Sequence, residues 1–123
     1  MTATMDLPAA PIRLTSPAKV RAARHKIRRL AVPLVGDEAA HSIELMASEA
    51  ISNALIHGRG EASVTMLCDE TCVRVEVRDE GPGFVVAGRT DHGRGLAIVE
   101  ALADRWAMVA DEAGTCVFFE VDL

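Results

Sequence analysis

The chain has 123 residues, long enough for a single domain that buries a core without disulfide staples. Half of it is hydrophobic but only 3% is aromatic and tyrosine is absent, so the core must be aliphatic and rich in alanine. A formal charge of -5 and a pI near 5.3 argue against a direct nucleic-acid surface, which draws on clustered Lys and Arg.

In chain order, residues 1–11 carry two prolines and little periodicity and read as a flexible N-terminal arm, leaving 12–123 as the domain. Ile12–Thr15 fits a short first strand. Ser16 then caps a helix with Pro17 at its first position. Val20, Ala23, Ile27, Leu30, Ala31 and Leu34 form the apolar stripe of that helix, with Arg21, Arg24, Arg28 and Arg29 outward, and Pro33 with Gly36 ends it. Asp37 can cap a second helix reaching His57, where Gly58 supplies the usual C-terminal glycine.

From Glu61 the period changes to that of strands. Ala62, Val64, Met66 and Cys68 alternate with other residues, then Val73, Val75 and Val77 alternate with Arg74, Glu76 and Arg78, so Asp69-Glu70 closes a hairpin. Glu80–His92 is rich in glycine and charge and reads as a loop; Gly93–Asp104 reads as a third helix. Trp106–Ala110 and Thr115–Val121 make a last hairpin around Asp111–Gly114. This order predicts an α+β domain, a two-layer sandwich in which about three helices cover one face of a mostly antiparallel sheet.

Cys68, Cys72 and Cys116 show no CxxC spacing, so reduced thiols are expected rather than a zinc site or a disulfide framework. The N-terminus has no basic start followed by an apolar core, and no apolar run reaches membrane-spanning length. The expectation is a cytoplasmic protein with no membrane partner.

Chemistry concentrates in three segments. Glu49, Asn53 and His57 are spaced i, i+4, i+8 on the second helix, a polar column beside Met46, Ala50 and Ala54. Glu49 and Asn53 alone would pass as a solvated pair; as a site, Asn53 suits a hydrated magnesium ion, which prefers oxygen ligands and keeps several waters. Asp79 ends the valine-alternating strand, and Gly81 and Gly83 after it permit close backbone approach to a ligand. His92-Gly93-Arg94-Gly95-Leu96 is a glycine-rich entry into a helix, whose free N–H groups can hold phosphate.

The order ExxxN, DxGxG, GxGL and a terminal GTxVxF, all within residues 44–119, resembles the boxes of the ATPase superfamily of gyrase, heat-shock chaperones, histidine kinases and mismatch-repair ATPases. Gly93-Arg-Gly-Leu-Ala-Ile-Val-Glu-Ala-Leu-Ala-Asp-Arg-Trp106 is especially similar to serine kinases of the anti-sigma-factor type. The resemblance implies the Bergerat ATP-binding fold, with ATP and Mg2+ as cofactors. It also implies a serine/threonine protein kinase that phosphorylates an anti-anti-sigma (STAS-type) partner and controls a sigma factor by partner switching. Within it Asn53 holds the metal, Asp79 accepts the adenine amino group, Gly81 and Gly83 shape the base pocket, Gly93, Arg94, Gly95 and Leu96 meet the phosphates, and Thr115 flanks the base. Glu49 takes the place of the residue that orients or deprotonates the attacking hydroxyl. His57 matches a position that is basic in many relatives, beside its plain reading as a helix-dipole partner. Arg94 either reaches a phosphate or is solvated.

Only nine residues, Phe84–His92, separate Gly83 from Gly93, so the lid over the phosphates is short. A non-catalytic regulator whose nucleotide sets the shape of a protein-interaction surface is the alternative function. His25, between Arg24 and Lys26, lacks the acidic neighbour and following proline of a phosphoaccepting histidine. The basic face of the first helix and the sheet edge near Ile12–Thr15 are the expected partner surfaces, the edge also for a homodimer.

Overall fold

The computed structural model describes residues 5–57, 61–80 and 96–123. Five strands, β1 (Met5–Leu14), β2 (Ala62–Cys68), β3 (Cys72–Asp79), β4 (Arg105–Asp111) and β5 (Gly114–Asp122), form one sheet of order β1-β2-β3-β5-β4. Every neighbouring pair is antiparallel. A 3-10 turn at Pro17–Lys19 leads into α1 (Val20–Val35), followed by α2 (Asp37–His57), with α3 (Ala97–Leu102) later in the chain. The helices cover one face, giving the expected α+β two-layer sandwich.

Alternation decides which face they cover. Val64 lies opposite Val77 and Met66 opposite Val75, and all four are fully buried. Phe119 continues this layer on β5, opposite Val75. Ile27 and Ala31 of α1 and Ile43, Met46, Ala47, Ala50 and Ile51 of α2 close the core from above, each with no exposed surface. Burial of each large aliphatic or aromatic side chain contributes about 1.5–3 kcal/mol, and the alanines let the helices lie close to the sheet. The other face is an ion lattice: Arg74 bonds Glu76 and Glu120, Arg105 bonds Glu120 and Asp122, and the Arg74 guanidinium sits 3.6 Å from the centroid of the Phe118 ring.

The main departures from the sequence reading are at the ends of β1, α1 and α3. β1 begins at Met5, so residues 5–11, expected in the arm, belong to a strand. It is an edge strand, where the missing N–H of Pro8 and Pro11 is tolerated, and its register slips between Leu7 and Ile12. α1 continues through Pro33 to Val35, because a proline in the last turn removes one bond near an end that frays anyway; Gly36, with φ 85 and ψ 172, is what stops it. α2 then starts at Asp37, with the Gly36 carbonyl accepting from Ala40 N–H at 3.0 Å. α3 stops at Leu102, short of Asp104, because the Asp104 N–H donates to the Glu120 carbonyl and its carboxylate accepts from Asp122 N–H, which draws that residue into the sheet.

All three cysteines lie outside any disulfide, Cys72 and Cys116 buried and Cys68 half-buried. Among the described residues no helix is long and apolar enough to cross a membrane.

Candidate functional site

Three buried polar side chains lie on α2, β3 and β5. Asn53 is only 4% exposed, Asp79 5% and Thr115 4%. Asp79 and Thr115 stand directly opposite one another on β3 and β5, on the layer that carries Val77 and Val117 one pleat away. On its other side Asp79 faces Ala62, whose methyl group takes little room. Asn53 lies on α2 next to Ala54 and one turn after Ala50, both small and buried. Burying an amide, a carboxylate and a hydroxyl costs free energy unless each is bonded, so such groups within a largely aliphatic core mark a candidate site.

Glu49 sits one turn before Asn53 and is half-buried. Its carboxylate grips α3: Oε1 accepts from Val99 N–H at 3.0 Å and Oε2 from Ile98 N–H at 3.2 Å. Both amides are first-turn donors with no partner inside the helix, so a carboxylate there also meets the positive end of the helix dipole. Sequence reading missed this contact, since nothing local joins residues so far apart in the chain. Leu96, the residue before α3, is buried at 4% exposure, and its carbonyl accepts from Glu100 N–H.

The structure thus pairs Asp79 with Thr115 across β3 and β5, sets Glu49 and Asn53 on adjacent turns of α2, and ties Glu49 to the first turn of α3 just after buried Leu96. Gly81, Gly83, Gly93, Arg94 and Gly95, and the short lid Phe84–His92, lie outside the described residues. His57 is the last residue of α2, and its side chain is outside them too.

A second polar centre, also missed, lies between α1 and α2. Glu44 is 6% exposed, and its carboxylate lies 3.5 Å from Arg28, 3.7 Å from His25 Nδ1 and 3.6 Å from His41 Nδ1. Arg28, expected outward, is half-buried against it, and Arg24 is half-buried as well, with Nε lacking a hydrogen-bond partner among the described residues. The His41/Glu44 spacing of i, i+3 was the available signal. The outward basic face of α1 is therefore narrower than the sequence suggests and centres on Arg21, Lys26 and Arg29.

A family model described as the histidine kinase-like ATPase domain matches residues 14–120. The chain belongs to this family, a class of ATP-binding domain. Among solved structures it is similar to the crystal structure of the RsbU and RsbW domains of Rv1364c from Mycobacterium tuberculosis, at 21% identity and a TM-score of 0.66. That match covers 92% of this chain and 32% of the other, and at this identity the likeness is one of fold. No curated protein matches the sequence.

Proposed function

We propose that the chain binds ATP with Mg2+ and acts as an anti-sigma-type serine/threonine protein kinase, phosphorylating a STAS-type anti-anti-sigma partner and thereby regulating a sigma factor. The observation that carries the nucleotide part is the burial of Asn53, Asp79 and Thr115 in a histidine kinase-like ATPase domain. The donor set suits the ligand. Asp79, buried at a strand end, accepts the adenine amino group, with Thr115 beside it. Asn53 offers one hard oxygen, which suffices for an ion that keeps several waters and takes its other ligands from phosphates. Bound magnesium supplies charge neutralisation on the β- and γ-phosphates. Gly81 and Gly83 shape the base pocket, and Gly93, Arg94, Gly95 and Leu96 meet the phosphates. Glu49 orients the attacking hydroxyl and takes its proton; to do so its carboxylate must turn from the Ile98 and Val99 amides.

That same grip favours a second reading, a non-catalytic module. A carboxylate committed to α3 serves to hold a helix, and nucleotide then acts only by setting the shape of a partner surface. In both readings the partners are proteins in the cytoplasm, met through the basic face of α1, and a homodimer is compatible with either.

Calorimetric titration of ATP in the presence of magnesium tests the site. Asp79→Asn should weaken binding by roughly tenfold or more, because the amide cannot replace the carboxylate's acceptor geometry without turning a donor inward. Exposed Glu112→Gln should leave it unchanged. Equal affinity for wild type and Asp79→Asn removes the assigned base pocket.

A further inference from the structure

Three of the large apolar side chains left exposed among the described residues lie together. Leu45 of α2 is 39% exposed, and Ile98 and Leu102 of α3 are 39% and 41% exposed. Ile98 and Leu102 are spaced i, i+4, so they share one flank of α3, while buried Val99 anchors the core side. The two helices run antiparallel: Glu49 holds the start of α3, and Leu102 at its end lies beside Glu38, Ala39 and Ser42 near the start of α2. At that lower end the strip opens into a cleft of about 380 Å³ between Leu102, Val35, Ala39 and Val121, large enough for a bulky side chain.

Histidine apart, every ionisable side chain carried by α2 and α3 is acidic. Neither α2 nor α3 contains a lysine or an arginine. Asp37 and Glu38 stand at the first turn of α2 and Glu38 lines the cleft; neither has an ion-pair partner among the described residues. The first cation after α3, Arg105, is held by Glu120 and Asp122. Contiguous apolar surface rimmed by polar groups marks interaction sites, and a groove between two helices accepts an amphipathic helix through anchors at i, i+3, i+4 and i+7.

We propose that the α2/α3 groove binds an amphipathic helix of a protein partner, whose apolar face covers Leu45, Ile98 and Leu102 and drops one large side chain into the cleft, and whose flanking Lys or Arg meets Asp37 and Glu38. The surface is distinct from the basic face of α1, and the assignment does not depend on nucleotide binding.

The test uses the full chain and two synthetic helices of about five turns. Both carry leucine at i, i+3, i+4 and i+7; one has arginine flanks, the other glutamate. Fluorescence anisotropy measures binding, and amide chemical shifts locate it. The arginine-flanked helix should bind, perturbing Leu45, Ile98 and Leu102, and the glutamate-flanked helix should bind at least about tenfold more weakly. Leu102→Glu should abolish capture. Asp37→Asn/Glu38→Gln, at exposed positions that leave the core intact, should erase the preference for arginine flanks and so keeps the test valid if Leu102→Glu does not fold. No binding, equal binding of both helices, or shifts confined to the open sheet face overturns the proposal. So does self-association that Leu102→Glu removes, which would mean that a second copy of the chain covers the groove.

Discussion

Glu49 and Val99 are joined by a 3.0 Å hydrogen bond from the helix amide to the carboxylate, with the Ile98 amide on the second oxygen. This pair fastens the middle of α2 to the start of a helix that is only six residues long. Isolated helices of that length do not persist in water, so α3 depends on the anchor and on the burial of Val99. Glu49→Ala should lower unfolding free energy by about 1–2 kcal/mol, in the range for loss of an N-terminal cap. Urea denaturation measures the loss, and hydrogen exchange at the Ile98 and Val99 amides should accelerate beyond the global change.

Glu49→Gln separates anchoring from chemistry. The amide keeps one acceptor for α3, so stability should fall by less than in Glu49→Ala. Phosphate transfer to a STAS-type protein should nevertheless drop by roughly 10²- to 10⁴-fold, the range for a positioned general base, with ATP affinity retained. Transfer at the wild-type rate assigns the residue to holding α3 alone.

Asn53→Ala should remove the dependence of ATP binding on magnesium and weaken it by roughly tenfold or more. Titrations with and without the metal check this. Because Asn53 is buried, stability must be followed in parallel, and Asn53→Asp, which keeps an oxygen at the same place, should restore a metal dependence.

Gly36 joins α1 to α2 at φ 85 and ψ 172, a region that residues with a Cβ avoid. A Cβ built there meets no atom within 4 Å, so the effect of Gly36→Ala is purely one of backbone conformation. The expected loss is about 1–3 kcal/mol, read from thermal or urea unfolding.

Stability should fall in acid. Asp69 accepts from the Thr71 hydroxyl, the Thr71 N–H and the Cys72 N–H, and these bonds hold its carboxyl below the usual range. Glu120 and Asp122 are held low chiefly by Arg105. A carboxyl whose folded value is depressed contributes stability that is present above its ordinary value and lost as pH falls through the folded value. Urea midpoints should therefore decline from roughly pH 4 downward. Asp69→Asn should be less stable than wild type at neutral pH and show a shallower acid decline.

Legibility followed the range of the forces involved. The β2–β3 hairpin was readable because Val73, Val75 and Val77 alternate with charged residues and Asp69 supplies its own turn bonds, all within a few residues. Asn53 and Asp79 were readable as polar groups set among small or branched apolar ones, and both proved buried. Contacts made only after folding were not. Glu49 with α3, and Glu44 with Arg28 and two histidines, join distant segments, so their charges look like ordinary solvated ones in the sequence. Pro8 and Pro11 argued against a strand because propensity cannot say that β1 lies at the sheet's edge.

That edge position has a consequence for how molecules meet. Between Leu7 and Ile12 β1 advances several residues while β2 moves only from Met66 to Val64, and two backbone donors are missing in the same stretch. A strand from a neighbouring molecule laid along this border loses step with it after the few residues Ile12–Leu14. Lateral continuation of the sheet into a neighbouring molecule, an early step of fibrous assembly, is thereby disfavoured on this side. Any two-fold pairing of the chain across it must rest on side chains, and stays reversible.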